Sequence, residues 1–175
     1  MKIILTVILT LVVLILGFYI YISSGWYDIS QLTPHGKLTK SIIRTTTHNS
    51  IEKRLKEITL PGNLNDTSLQ ISGFKPYTEM CSGCHGAPGE PNDMVTGWYP
   101  KPPQLYKRAK EEEAKEFFWI TKFGIKMTSM PAFKPMLTDE QIWAITAFVT
   151  HKLPKMTAEE YKSWKSLYAS SNQAH

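Results

Sequence analysis

Both cysteines of this 175-residue chain fall within one five-residue run, Cys81-Ser82-Gly83-Cys84-His85. Two intervening residues let a single helical turn present both sulfurs along one edge, and the adjacent imidazole follows directly. A structural zinc site wants four Cys or His ligands, usually from a second pair. No second pair exists, and His35, His48, His151 and His175 are scattered. A redox dithiol of the thioredoxin kind wants a βαβ setting, and none is visible around residue 81. Cys-x-x-Cys-His is the attachment signature of c-type haem, so the expectation is covalent attachment of one haem c. Cys81 and Cys84 would form thioethers with the vinyl groups, and His85 would bind the iron as proximal ligand.

A second feature sets the compartment. Residues 3–22 carry no charge and are almost wholly apolar. Twenty residues at ~1.5 Å rise reach ~30 Å, about one hydrocarbon core. Lys2 is the only charge before the run, favouring a cytoplasmic N-terminus, and Phe18, Tyr19, Tyr21, Trp26 and Tyr27 cluster at the far end as an interfacial belt would. A cleaved signal peptide is the alternative. Its apolar region should be shorter and end in an A-x-A-like site, whereas Ser23-Ser24-Gly25 follows a long run. The expectation is an uncleaved anchor, with the rest of the chain exported. That suits haem attachment, which takes place outside the cytoplasm.

The formal charge of +5 divides into +1 from Lys2, +2 over residues 24–70 and +2 over residues 71–175. Two haem propionates would roughly cancel the last surplus, so the net charge points to no nucleic-acid function.

Residues 23–70 contain Pro34, Gly36, Pro61 and Gly62 and read as an extension or stalk. Asn49 is a candidate cap, with Glu52 three residues on. Ile51, Leu55 and Ile58 then share a face. His48 is a remote ligand candidate in a Thr-rich stretch. Gly73 to about Cys84 reads as helix, which requires Pro76 in its first turn. The glycines and prolines of residues 86–105 deny regular structure. Glu111 to Lys122 reads as helix, stopped by Gly124. Thr138 caps the next helix, with Gln141 in the capping-box position. Ile142, Ile145, Phe148 and Val149 form its apolar face, and Pro154 ends it. Residues 157–169 read as a short, polar terminal helix. No repeat and no β-rich region is visible.

With these residues in order, residues 71–153 resemble a class I, mitochondrial-type cytochrome c domain. The fold implied is all-α around one covalent haem, here behind a single N-terminal transmembrane helix. The implied divisions are an anchor at 1–22, an extension at 23–70, the haem domain at 71–153 and a helical tail at 154–175. Gly73-x-x-x-Tyr77-x-x-x-Cys81 matches the family's N-terminal helix, and Ile145 and Phe148 match the C-terminal helix that it crosses. A glycine at such a crossing removes the Cβ and permits close backbone approach.

The resemblance also implies a ligand set. The family's axial methionine sits in a loop before the last core helix, commonly followed by proline. Met130-Pro131 matches this, 45 residues after His85. A thioether paired with histidine raises the reduction potential. Met127 is the chief rival; Met94, Met136 and Met156 are others, and each methionine is equally a candidate core filler. A proline carbonyl after the motif orients the proximal histidine in the family, with a leucine two residues on. Pro103-Gln104-Leu105 fits, although Pro102 competes for the role. Trp98, Tyr99, Tyr106, Trp119 and Phe133 are candidates to line the crevice. Lys101, Lys107, Arg108, Lys110, Lys122, Lys126 and Lys134 flank the haem-bearing loops, where family lysines meet acidic partners. Glu111, Glu112, Glu113 and Glu116 make a mixed-charge surface the alternative.

The function implied is one-electron transfer, not enzyme catalysis, by a carrier on a bacterial inner membrane. Its haem domain would lie in the periplasm, between a quinol-oxidising complex and a terminal oxidase or reductase. One alternative is a fixed haem-relay subunit of a larger oxidase, reductase or dehydrogenase. Thr6 and Thr10 are the only small-xxx-small pair in the apolar run, which offers little for helix packing. The other alternative is a gas sensor or peroxidase-like protein, which needs an open sixth position.

Overall fold

The computed structural model describes residues 1–172, without the side chains of Asp93, Glu112 and residues 170–172. The last three residues of the expected tail lie outside that part. The chain forms two compact units, Met1–Pro34 and His35–His175.

In the first unit, α1 spans Lys2–Ser23 and buries none of its residues. It is long and apolar enough to cross a membrane and is a candidate membrane span. Its two threonine hydroxyls turn inward on the helix: Thr6 Oγ1 donates to the Lys2 carbonyl at 3.0 Å and Thr10 Oγ1 to the Thr6 carbonyl at 2.9 Å. Neither presents an unsatisfied donor to hydrocarbon.

The second unit is helical, and among its described residues the only β pairing is the isolated bridge between Ala87 and Glu90. It contains α2 (Lys37–Leu55), α3 (Thr67–Met80), α4 (Ser82–His85), α5 (Leu105–Arg108), α6 (Ala114–Phe123), α7 (Asp139–Ala147) and α8 (Ala158–Asn172). The packing centre is where α3 crosses α7. A Cβ on Gly73 would collide with the Ala144 carbonyl and stand 2.8 Å from Phe148 Cβ. Only glycine lets the two backbones approach this closely. One turn on, the Tyr77 and Phe148 rings lie 5.4 Å apart. Phe74, Tyr77, Ile145 and Phe148 are all buried in one cluster.

Thr138 and Gln141 close a capping box at the start of α7. Beyond Ala147 the helix widens into a π turn, Phe148–Lys152, and tightens into a 3-10 turn, Leu153–Lys155, that accommodates Pro154. Buried Thr146 and Thr150 satisfy their hydroxyls on carbonyls one turn back, each at 2.8 Å.

Three local expectations are corrected. The first core helix begins at Thr67, not Gly73, because Asp66 accepts the Ser68 N–H at 2.8 Å and caps it. Pro76 is therefore inside the helix and not in its first turn. It deprives the Ser72 carbonyl of its helical donor, which water can replace at that exposed position. Asn49 caps nothing: it lies inside the 19-residue α2, whose cap is Gly36. Finally, α8 is not a polar appendage. Tyr161, Trp164 and Tyr168 form one stripe and pack on Phe74, each ring centroid 5.3 Å away. Lys152–Glu160 at 2.6 Å and Lys165–Glu90 at 2.8 Å flank that contact. The abundant Lys, Glu and Ser of this stretch hid an apolar stripe of three aromatics.

Candidate functional site

The motif forms one turn at the end of α3. The Cys81 N–H closes that helix on the Tyr77 carbonyl at 2.8 Å, and the His85 N–H returns to the Cys81 carbonyl at 2.9 Å. Both cysteines are unpaired and partly buried. Burial pushes the Cys81 thiol up to about 12, with a smaller contribution from Cys84. It therefore stays protonated at neutral pH and lacks the thiolate character of a catalytic dithiol. Burial lowers the His85 pKa, and the Pro103 carbonyl opposes that shift. A neutral imidazole is the ligating form.

His85 Nδ1 lies 2.9 Å from the Pro103 carbonyl oxygen. A proton on Nδ1 donates there and leaves the Nε2 lone pair for a metal. Leu105, two residues on, begins α5 and is buried among Phe74, Tyr77 and Phe148. The carbonyl that meets the ring is that of Pro103 and not of Pro102.

Three side chains brace the motif through hydrogen bonds that the sequence does not indicate. The Tyr77 hydroxyl donates to the buried Gly86 carbonyl at 2.5 Å, tying the turn after the motif to α3. Asn92 Nδ2 donates to the Cys84 carbonyl at 2.9 Å, and Gln104 Nε2 donates to Asn92 Oδ1 at 3.1 Å. Asn92 is 5 % exposed, so its amide is a structural brace and not a solvated loop residue. In sequence it is one more turn-former in a Gly- and Pro-rich stretch. Gly86 itself has φ +70°, and a Cβ there would stand 3.2 Å from the Tyr106 ring.

Met130 sits in a loop clasped by backbone. The Ile125 N–H donates to the Met130 carbonyl at 3.2 Å, and the Met130 N–H donates to Thr128 Oγ1 at 3.1 Å. Downstream, the Phe133 and Lys134 N–H groups each reach back 3.1 Å to the Thr121 and Lys122 carbonyls. Gly124 allows the fold-back: its φ is +67°, and a Cβ there would lie 2.8 Å from Met130 O, Pro131 C and Ala132 N. Met130 is half-buried. Met127, at the tip, has φ +59° and is fully exposed.

The other candidates divide. Met94 and Met136 are exposed, whereas Met156 is buried in the core with Leu153 and Tyr161. His48 lies exposed on α2, near enough to Glu116 on α6 to oppose the upward shift that burial and Glu113 impose on that carboxyl. Phe133 is buried; Trp119 stacks obliquely on Phe123 at 5.3 Å, and Tyr99 meets His35 edge-on at 5.3 Å. Lys122 is committed to Asp139 at 2.7 Å. Lys101, Lys107, Arg108, Lys110, Lys126 and Lys134 are exposed.

Among the described residues, no three His, Cys, Asp or Glu side chains come together as a metal cluster. The motif suits a haem instead: two free thiols on one turn and an imidazole oriented through its other nitrogen. Residues 70–149 match a protein-family model described as cytochrome c oxidase, cbb3-type, subunit III. Neither curated proteins nor solved structures gave a match.

Proposed function

Since residues 70–149 are a class I cytochrome c domain, we propose that this chain transfers single electrons through one haem c held by Cys81, Cys84, His85 and Met130. Bound there, haem c supplies a one-electron iron couple. Cys81 and Cys84 fix it covalently to the end of α3. Pro103 holds the His85 ring in one orientation and keeps Nε2 available. Leu105 supplies an apolar wall. Met130 would be the second protein ligand and would leave no open site on the iron for a substrate, which argues for electron transfer over gas sensing or peroxidation. The proposed division is an anchor at residues 1–22, an extension at 23–70, the haem domain at 71–153 and a tail at 154–175. The anchor places the domain on the periplasmic face of a bacterial inner membrane.

The observation that carries this reading is the 2.9 Å approach of His85 Nδ1 to the Pro103 carbonyl. A metal-ligating histidine normally donates its other ring N–H to such an acceptor. The test is spectroscopic. The ferric protein should show a sulfur-to-iron charge-transfer band that disappears in Met130→Ala and persists in Met127→Ala. Rapid carbon monoxide binding by the unmodified ferrous protein at neutral pH would refute closed ligation.

The matching family's name favours a second arrangement, in which the chain is a fixed relay subunit of an oxidase-type complex and not a mobile carrier between a quinol-oxidising complex and a terminal oxidase or reductase. Detergent extraction followed by native mass measurement separates them. Co-purification with a stoichiometric catalytic subunit identifies the relay.

A further inference from the structure

The first half of α2 has an apolar face that its own domain does not cover. Leu38 and Ile42 form one row, 74 % and 57 % exposed. The opposite stripe, reached by steps of three and four residues, runs Lys37, Lys40, Arg44 and on to Ile51. Ile51 is 5 % exposed and marks the side on which α2 packs in its domain. The apolar row therefore points away from that packing. Only residues 24–36 separate α2 from α1, and they include Trp26, Ile29 and Leu32, each at least 79 % exposed. No Asp or Glu occurs between Asp28 and Glu52, so every formal charge in that interval, Lys37, Lys40 and Arg44, is positive.

We propose that the first half of α2 lies in the membrane interface, with Leu38 and Ile42 in the acyl boundary and Lys37, Lys40 and Arg44 paired with anionic lipid headgroups. A helix with an apolar row, a basic opposite stripe and no acids has the chemistry of an interfacial segment. Its cations extend their charged ends toward the headgroups while their stems cover apolar surface. A protein occupant is the other cover for such a face. The bilayer is favoured because the face follows a candidate membrane span in sequence and its charge is of one sign. The inference rests on α1 serving as an anchor. It adds a second attachment that would restrict how the haem domain can orient above the membrane.

The test uses the full, haem-loaded chain in nanodiscs of phosphatidylcholine and phosphatidylglycerol. An environment-sensitive fluorophore is placed singly at Leu38→Cys, Ile42→Cys, Ser41→Cys and Arg44→Cys, and at Leu14→Cys within α1; native Cys81 and Cys84 are protected as thioethers. Blue-shifted emission is expected at 38 and 42, with aqueous emission at 41 and 44. The contrast should shrink in discs of phosphatidylcholine alone. Aqueous emission at all four α2 sites, with an apolar signal at 14, overturns this inference and leaves the anchor intact. Aqueous emission at 14 as well overturns both. A blue shift at 38 and 42 that appears only when an oxidase complex is added assigns the face to a protein and overturns the lipid reading.

Discussion

On the His85 side, side chains hold backbone: Tyr77 holds Gly86, Asn92 holds Cys84, and Gln104 steadies Asn92. On the Met130 side, backbone mostly holds backbone, through Ile125 to Met130, Phe133 to Thr121 and Lys134 to Lys122. The two flanks should therefore fail differently. A side-chain-built flank loses a brace with each truncation. A backbone-built flank tolerates most substitutions but depends on the residue whose φ and missing Cβ let the chain fold back.

The largest effect should thus come from Gly124→Ala. Gly124 has φ +67° and ψ −175°, a region essentially reserved for glycine. Its new Cβ would stand 2.8 Å from three backbone atoms that have no rotamer to yield. A loss of about 3 kcal/mol is expected from strain of this kind. Denaturant titration measures it, and the sulfur-to-iron band should weaken in the same variant. An unchanged midpoint together with an unchanged band would show that the fold-back is not what positions Met130.

On the other flank, Tyr77→Phe strands the buried Gly86 carbonyl and Asn92→Ala strands the Cys84 carbonyl. Each should cost about 1–3 kcal/mol, the range for a buried polar group left without its partner. Both should leave the sulfur-to-iron band in place, because neither touches the Met130 loop. Paired measurement of midpoint and band keeps the two flanks separate. Loss of the band in Asn92→Ala would mean that the flanks are coupled, and the comparison would break.

The His85 flank was partly legible in the sequence and its braces were not. Cys81, Cys84 and His85 are contiguous, so their chemistry can be read from spacing. The Pro103-Gln104-Leu105 pattern also lies within one loop. Asn92 and Gln104 act across 8 and 12 residues of irregular chain, where no period indicates which side chain turns inward. Gly73 was legible through its spacing from Tyr77 and the motif, but the start of its helix was not. Pro76 suggested a boundary, and the Asp66 cap beneath a polar stretch prevailed. The packing of the terminal helix is hidden for a related reason. Three aromatics spaced over two turns among lysines and serines give a weak apolar signal, and their target Phe74 lies far back in the chain. Such long-range pairings leave little local trace.

The smallest effect sharpens the contrast most, because Thr128 is, among the described residues, the one side chain that braces the Met130 flank. Its hydroxyl accepts the Met130 N–H at 3.1 Å and donates to the Ile125 carbonyl at 2.8 Å. The residue is only half-buried, so water can reach both groups when the hydroxyl is removed. Thr128→Val keeps the branched shape and should cost about 0.5–1 kcal/mol, the net worth of an ordinary hydrogen bond. It should also raise the rate at which an added imidazole displaces the sixth ligand, since Met130 would lose a local restraint and keep the Gly124 fold-back. Met127→Ala, three residues from Met130 but fully exposed, is the control and should alter neither quantity. A cost from Thr128→Val as large as that of Asn92→Ala would show that side chains govern both flanks.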